Sequence, residues 1–373
     1  MLSDLHGMEI APPLISRYLT IVMNTPNKIL VLRFSSIGDI VLSSPLLRVL
    51  RKRFPQSQID YVTRKEYAEL VRSNQNINYT YEFDVGEGFS GLRALKKKIQ
   101  NEGYDLLIDI HGSLRSRYVR SFLGSVLLVT INKREKERAA LIKHKKDLYK
   151  DAVPVWQRYI EAVEQFDIRD DGKGLELHIP DEILFGISGR MAGLNLNHYE
   201  KVVGLCPTAR HMTKCWPKER FLELGARLAR DRDAKVLLFG GIADADYCDG
   251  IARAIDGIAG TGRADNLSGK FSLLESAAAM DYCDVVVTND SGLMHLAEAR
   301  QRNLVAVFGS TVRQFGFFPQ NKNSVVVERT GLSCRPCSHI GRSSCPEGHF
   351  RCMNEISVDV VMAQTERMLG LRN

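Results

Sequence analysis

Ile29 to Phe34 reads ILVLRF and runs straight into Ser35-Ser36-Ile37-Gly38-Asp39. A short, β-prone apolar run without polar alternation is the pattern of a strand buried on both faces, as in parallel sheets. A helical pattern then extends from Asp39 to about Arg53, where Pro55 closes it, and Gln58 to Thr63 reads as the next strand. Strand, tight loop, helix and strand in that order make a βαβ unit, which predicts an α/β fold with parallel sheets.

The same alternation continues outward. Leu106 to Ile110 (LLIDI) is a buried-type strand ending at His111-Gly112. Asp170 to Gly174 (DDGKG) and Pro180 to Gly193 read as connecting material, and a second set of elements follows. Its strands are Lys201 to Leu205 (KVVGL), Lys235 to Phe239 (KVLLF), Asp284 to Thr288 (DVVVT) and Leu304 to Phe308 (LVAVF). Helical patterns cover Glu219 to Arg230 and Asp290 to Ala299. The expected organisation is an N-terminal extension over 1–27, a first Rossmann-like domain over 28–185, a second over 195–355 and a closing helix over 356–373. Ligands of such sheets bind beyond the carboxyl ends of the strands, so the loops to read are 35–39, 206–214, 240–246 and 289–295.

Bulk properties narrow the class. The 373 residues suit two domains, and 44% hydrophobic with 25% charged residues is ordinary for a globular protein. No run approaches the ~18 apolar residues of a membrane span. The first residues lack a basic start followed by a clean apolar core, so they are a poor signal peptide, and the cytoplasm is the expected compartment. They read either as a surface-lying amphipathic segment or as an extension upstream of a start at Met23. The net charge of +7 is unevenly spread: Arg115 to Lys150 is rich in Arg and Lys and poor in acids. That stretch is either a solvated helix face or a surface for an anionic partner.

Each loop carries candidate chemistry. Gly38 allows close backbone approach, and Asp39 serves either as a helix cap or as a general base at the mouth of a cleft. Between Cys206 and Trp216, the side chains of Thr208, Arg210 and Lys214 form a candidate phosphate clamp. Ser291 and Gly292 open a helix whose amides suit a diphosphate. Asp290 could accept hydrogen bonds from sugar hydroxyls, and His295 is a ligand contact or a buried histidine. Asp244-Ala245-Asp246 matches the metal-holding D-x-D pattern, yet at a helix start acids also serve as caps, or Asp244 holds ribose hydroxyls. No G-x-G-x-x-G follows the first strand, which weakens a nicotinamide enzyme, and no nucleic-acid partner is expected. Cys334, Cys337, Cys345 and Cys352 could hold a structural zinc, pack a loop as thiols, or form disulfides.

Five stretches in register resemble glycosyltransferase family 9, the heptosyltransferases of the bacterial lipopolysaccharide inner core. They are KILVLRFSSIGDIVLSSPLLRVLRKRFP from Lys28, DLLIDIHGSLRSR from Asp105, TARHMTKCWP from Thr208, GKFSLLESAAAMDYCDVVVTNDSGLMHLAEA from Gly269, and the cysteine-rich CRPC…CP…GHFRCM tail. The resemblance implies a GT-B fold, two Rossmann-like domains with the active site in the cleft between them. It further implies an inverting, metal-independent transferase with no required cofactor. ADP-heptose would lie on the second domain, and an anionic, lipid-linked saccharide on the first, at the cytoplasmic face of the inner membrane. Asp39 matches the family's base and Lys214 its phosphate-binding lysine. Thr208, Ser291 and Gly292 match donor contacts, Asp290 the carboxylate that reaches the transferred sugar, and Phe271 the apolar cover of the adenine. Arg64, Arg115 and Arg117 fall where they could meet the acceptor. The alternatives are a family member using another nucleotide sugar and a non-catalytic sugar-nucleotide-binding protein. Two departures bear on the donor: His211 and Met212 replace acids of heptosyltransferase I, and GSTVRQFGFFP follows Phe308 in place of G-P-T-D-P.

Overall fold

The computed structural model describes residues 25–121, 124 and 126–370, so most of the expected extension over 1–27 lies outside the described residues. Two parallel sheets organise the chain. The first holds β1 (Lys28–Leu32), β2 (Gln58–Arg64), β3 (Tyr79–Phe83), β4 (Leu106–Asp109) and β5 (Leu127–Thr130), in the order β3-β2-β1-β4-β5. The second holds β6 (Lys201–Cys206), β7 (Ala234–Leu238), β8 (Ala264–Asn266), β9 (Val285–Asn289), β10 (Leu304–Phe308) and β11 (Ser324–Glu328), ordered β11-β10-β9-β6-β7-β8. Every pairing is parallel. The central strands are buried on both faces: Ile29 to Leu32 and Leu304 to Phe308 expose nothing to solvent. Their unbroken apolar runs follow from helices covering each face.

In both sheets the chain order reverses beside the first strand of its domain, β1 in one and β6 in the other. That places the loops after these strands at the switch point, where open α/β sheets form their crevices.

Two elements differ from the sequence reading. The helix expected as one piece from Asp39 to Arg53 is two, Ile37–Val41 and Ser44–Arg53. Pro45 has no amide to donate, and the hydroxyls of Ser43 and Ser44 donate to the carbonyls of Ile40 and Val41, at 2.6 and 2.8 Å. The turn is thus satisfied locally rather than by continued helix. Pro180 to Gly193, read as connecting material, contains the helix Asp181–Ala192. Its apolar positions Ile183, Ile187 and Met191 share one face, which packs into the core that joins the domains, while Gly186 and Gly189 masked the pattern.

That core runs through both domains without a break, from Ile29 and Ile108 through Leu175, Leu177 and Met191 to Ala278 and Phe308. Polar contacts add to it. The Glu69 carboxylate, from the first domain, accepts from the amides of Leu273 and Leu274 at the start of a second-domain helix (Leu273–Met280), at 3.1 and 3.4 Å. Arg48 spans back to the connecting chain through Asp171 and Glu176 at 2.8 and 2.7 Å.

The first turns of two helices, Ile37–Val41 and Gly292–Ala299, touch across the cleft. A Cβ on Gly38 would lie 2.6 Å from the His295 ring, and one on Gly292 would lie 2.8 Å from Cβ of Ile37. Both glycines are therefore required by closeness rather than by backbone angle. Gly38→Ala is expected to cost the closed arrangement about 1–3 kcal/mol, the usual range for overpacking. Small-angle scattering checks it: the variant should be larger in radius of gyration than the parent, and superimposable profiles would refute the contact.

Candidate functional site

The site is built where β1 and β9 deliver their loops to this crossing. Asp39 lies in the first turn after β1 and is half-buried. Its Oδ2 takes the Arg33 guanidinium at 2.6 Å, the Ser36 hydroxyl at 3.0 Å and the Ser36 amide at 3.2 Å. The Tyr159 hydroxyl donates to Oδ1 at 3.4 Å. Asp39 therefore both caps its helix and faces the cleft. Burial alone would raise its carboxyl, but the Arg33 charge and the Ser36 hydrogen bonds outweigh burial and hold it below the usual carboxylate range.

Arg33 is a functional residue the sequence reading passed over. It sits at the end of the buried run ILVLRF, and a cation in such a run was the signal. Beyond Asp39, its Nε donates to the Ser35 carbonyl at 2.8 Å and Nη1 to the Ile110 carbonyl at 2.6 Å. Its guanidinium also stands 5.8 Å from the centre of the Tyr159 ring. His111 is a second neighbour of this group. Burial, helped by the Arg33 charge, lowers it to about 3, and its Nδ1 is buried without a hydrogen-bond partner among the described residues.

Opposite, in the second domain, Lys214 ends the loop after β6. Its Nζ lies 2.7 Å from Oδ2 of Asp290, an oxygen that also accepts from the Thr311 hydroxyl at 2.6 Å. Asp290 is almost wholly buried, and Lys214 is partly open to the cleft. Ser291 precedes the Gly292–Ala299 helix but makes no side-chain cap, and the first amides of that helix have no side-chain partner among the described residues.

The remaining predicted residues are divided. Thr208 is half-buried in the Lys214 loop, and Arg210 is exposed there. Arg210 and Arg64, from opposite domains, both lie within electrostatic reach of Tyr67. His295 is buried, with Nδ1 3.3 Å from the Glu298 carboxylate, and its ring backs onto Gly38. Phe271 is half-buried with the Arg190 guanidinium 5.3 Å over its ring. Asp244 takes the Gly241 amide at 2.8 Å, which is the capping role open to it in the sequence. Arg117 joins Arg120, Lys133 and Lys136 around a cavity of about 500 Å³ beside Gly112, whereas Arg115 is exposed on the same helix and does not line it. The basic stretch is thus in part a concave surface.

Among the described residues, no group of three or more His, Cys, Asp or Glu side chains is placed to hold a metal ion. Cys334, Cys337, Cys345 and Cys352 are free thiols, and burial raises Cys352 to about 11. Nor is any helix of the described residues long and apolar enough to cross a membrane.

Residues 92–346, more than half of the chain, match the model of glycosyltransferase family 9 (heptosyltransferase). The chain belongs to glycosyltransferase family 9. Lipopolysaccharide heptosyltransferase 2 of Escherichia coli strain K12 is 26% identical over 355 residues, covering 92% of this chain and 98% of that one. Among solved structures, the E. coli ADP-heptose lipopolysaccharide heptosyltransferase II superposes with a TM-score of 0.70 at 26% identity over 92% of this chain and 98% of that one. A family 9 glycosyltransferase from Veillonella parvula DSM 2008 has the same fold, with a TM-score of 0.76 at 24% identity over 92% of this chain and 97% of its own. The two parallel-sheet domains are accordingly those of the GT-B fold.

Proposed function

We propose that this family 9 glycosyltransferase moves a heptose from ADP-heptose to an anionic inner-core acceptor, by inverting single displacement and without a catalytic metal. The observation that carries the reading is the crossing itself. It brings Ile37 and Gly38, the residues just before Asp39, against the first turn of the Gly292–Ala299 helix, and Lys214 pairs with Asp290 at the entry to that helix.

In this reading the donor diphosphate meets Lys214 and the amides at Ser291 and Gly292, which stabilise the charge gathering on the leaving group. The acceptor hydroxyl attacks the anomeric carbon from the opposite side and passes its proton to Asp39. Thr208 and Arg210 hold the donor from the β6 loop, and Asp290 reaches the transferred sugar. The cavity lined by Arg117, Arg120, Lys133 and Lys136, whose four cations outnumber the carboxylates of Glu135 and Glu137 in the same wall, together with Arg64 at the cleft, suits phosphates or carboxylates of the acceptor. An acceptor held in a membrane would bring the enzyme to the cytoplasmic face peripherally, through charge.

Calorimetric titration with ADP, UDP and GDP, with and without EDTA, tests the donor half. ADP is expected to bind selectively and to survive EDTA. Preference for UDP or GDP overturns the donor, and binding lost to EDTA overturns metal independence. Lys214→Ala should weaken ADP binding and lower transfer by about 10²–10³-fold, as loss of an oxyanion-type donor does. Unchanged kinetics would remove Lys214 from the site.

A further inference from the structure

The segment Leu332–Arg342, from the cysteine-rich tail, lies across the cleft as a strap fixed at four points. Arg335 donates to the Thr311 carbonyl through Nε at 3.1 Å and Nη2 at 2.6 Å. The Arg342 amide donates to the Thr213 hydroxyl at 2.8 Å, and the Thr213 amide returns a bond to the Arg342 carbonyl at 3.1 Å. Gly341 has φ of +101° and leaves no room for a side chain, since a Cβ there would lie 2.6 Å from His211. From the first domain, Lys145 Nζ reaches the carbonyls of Cys334 and Pro336 at 3.0 and 2.6 Å. Two of these anchors belong to the site already described. Thr213 precedes Lys214, and Thr311 donates to the carboxylate that pairs with Lys214.

His339 is what the strap delivers. Its ring packs against Phe315 at 5.4 Å and Phe317 at 6.1 Å between centroids. Phe317 in turn meets His295, whose far edge abuts Gly38. His339 thus stands in one aromatic row with the crossing point, where Gly38 precedes Asp39. Among the described residues neither of its ring nitrogens makes a hydrogen bond, although the residue is only partly exposed. An imidazole offers an N–H to donate and, in its neutral form, a nitrogen to accept. Such a group suits hydroxyls, which also both donate and accept.

Resting on the transferase reading above, the geometry points to His339 as a specificity-determining residue that hydrogen-bonds hydroxyls of the transferred sugar. The sugar must occupy the space between the group that takes the acceptor proton and the group that holds the leaving diphosphate. The strap ties His339 to both sides, through the Arg342–Thr213 bonds next to Lys214 and through Phe317 and His295 to Gly38 next to Asp39. Its half-buried ring, whose nitrogens make no hydrogen bond among the described residues, is completed by a polyhydroxylated ligand. The cleft side of the sugar is then read by the strap, and the diphosphate by the β6 and β9 loops.

The test compares a nucleotide sugar with its free nucleotide, so that only contacts to the sugar register. His339→Phe keeps the ring packing on Phe315 and Phe317 and removes both nitrogens. His339→Gln keeps a donor and an acceptor. For His339→Phe we expect about tenfold weaker binding of ADP-heptose, one lost hydrogen bond, with ADP affinity unchanged. His339→Gln should recover most of the loss. Equal weakening of ADP and ADP-heptose by His339→Phe would make the strap merely structural and overturn the assignment, as would unchanged ADP-heptose binding. If the parent protein instead takes UDP or GDP, the donor proposed above falls. The same ratio, read on that nucleotide and its sugar, still decides the role of His339.

Discussion

Asp39→Asn is expected to lower transfer by about 10²–10⁴-fold, the usual worth of a positioned general base, while leaving donor binding near that of the parent. The amide has the shape of the carboxylate, and its oxygen can still accept from the Ser36 amide and hydroxyl and from Arg33, so the loop after β1 keeps its hydrogen bonds although the ion pair with Arg33 loses one charge. What it lacks is a basic oxygen. Single-turnover measurements with bound donor read the loss directly, and comparable turnover would end the base assignment. The pH profile has a sign as well. Because Asp39 is held below the ordinary carboxylate range, it stays ionised through the neutral region, and activity falls only as pH drops through that lowered value. A base so lowered is a weak one. It takes the proton late, as the attacking hydroxyl becomes acidic on bonding to the sugar.

Arg33→Met should be the most damaging single change in the first domain. It removes the partner of a half-buried carboxylate and also the donors that reach the Ser35 and Ile110 carbonyls. Breaking one side of a buried ion pair costs about 3–5 kcal/mol. Denaturant unfolding near neutral pH should show a loss of that size, and a change within the scatter of surface substitutions would refute the pairing. In the parent, the lowered Asp39 contributes stability that is present above the unfolded carboxylate value, near ~3.9, and is lost as pH falls through the folded one. In the variant only the Ser36 hydrogen bonds oppose burial, and the Asp39 carboxyl rises. Its contribution shrinks, so the gap between parent and variant should narrow in acid. The acid limb of activity should move to higher pH in step. Arg33→Lys keeps the charge without the planar fork and should fall between the two.

The frame of the molecule was legible because buried parallel strands are written as contiguous apolar runs. β1, β4, β6, β7, β9 and β10 all follow that rule. Asp39, Lys214, Ser291 and Gly292 were legible because each stands at a strand's carboxyl end, where local pattern and chemistry coincide. What escaped lies far away in sequence. Tyr159 reaches Asp39 from 120 residues on, and no local period announces a contact of that separation. His339 was passed over because its cysteine neighbours drew attention to metal binding, whereas the segment is held by carbonyls, amides and hydroxyls. Arg115 and Arg117 could not be told apart by composition. Helix phase decides that one lines the cavity and the other faces outward.

The ion pair between Lys214 and Asp290 bears on how long a product stays. Lys214 is never a bare cation, because a carboxylate already stands 2.7 Å away, fixed there by the Thr311 hydroxyl. An arriving diphosphate gains only the difference between its own attraction for the lysine and that of the carboxylate it competes with. After the sugar has left, the same carboxylate stands ready to reclaim the lysine. In the proposed reaction, affinity for spent nucleotide is thereby capped, and the cycle restarts by exchange of one counter-ion for another rather than by tearing an anion from an unscreened charge.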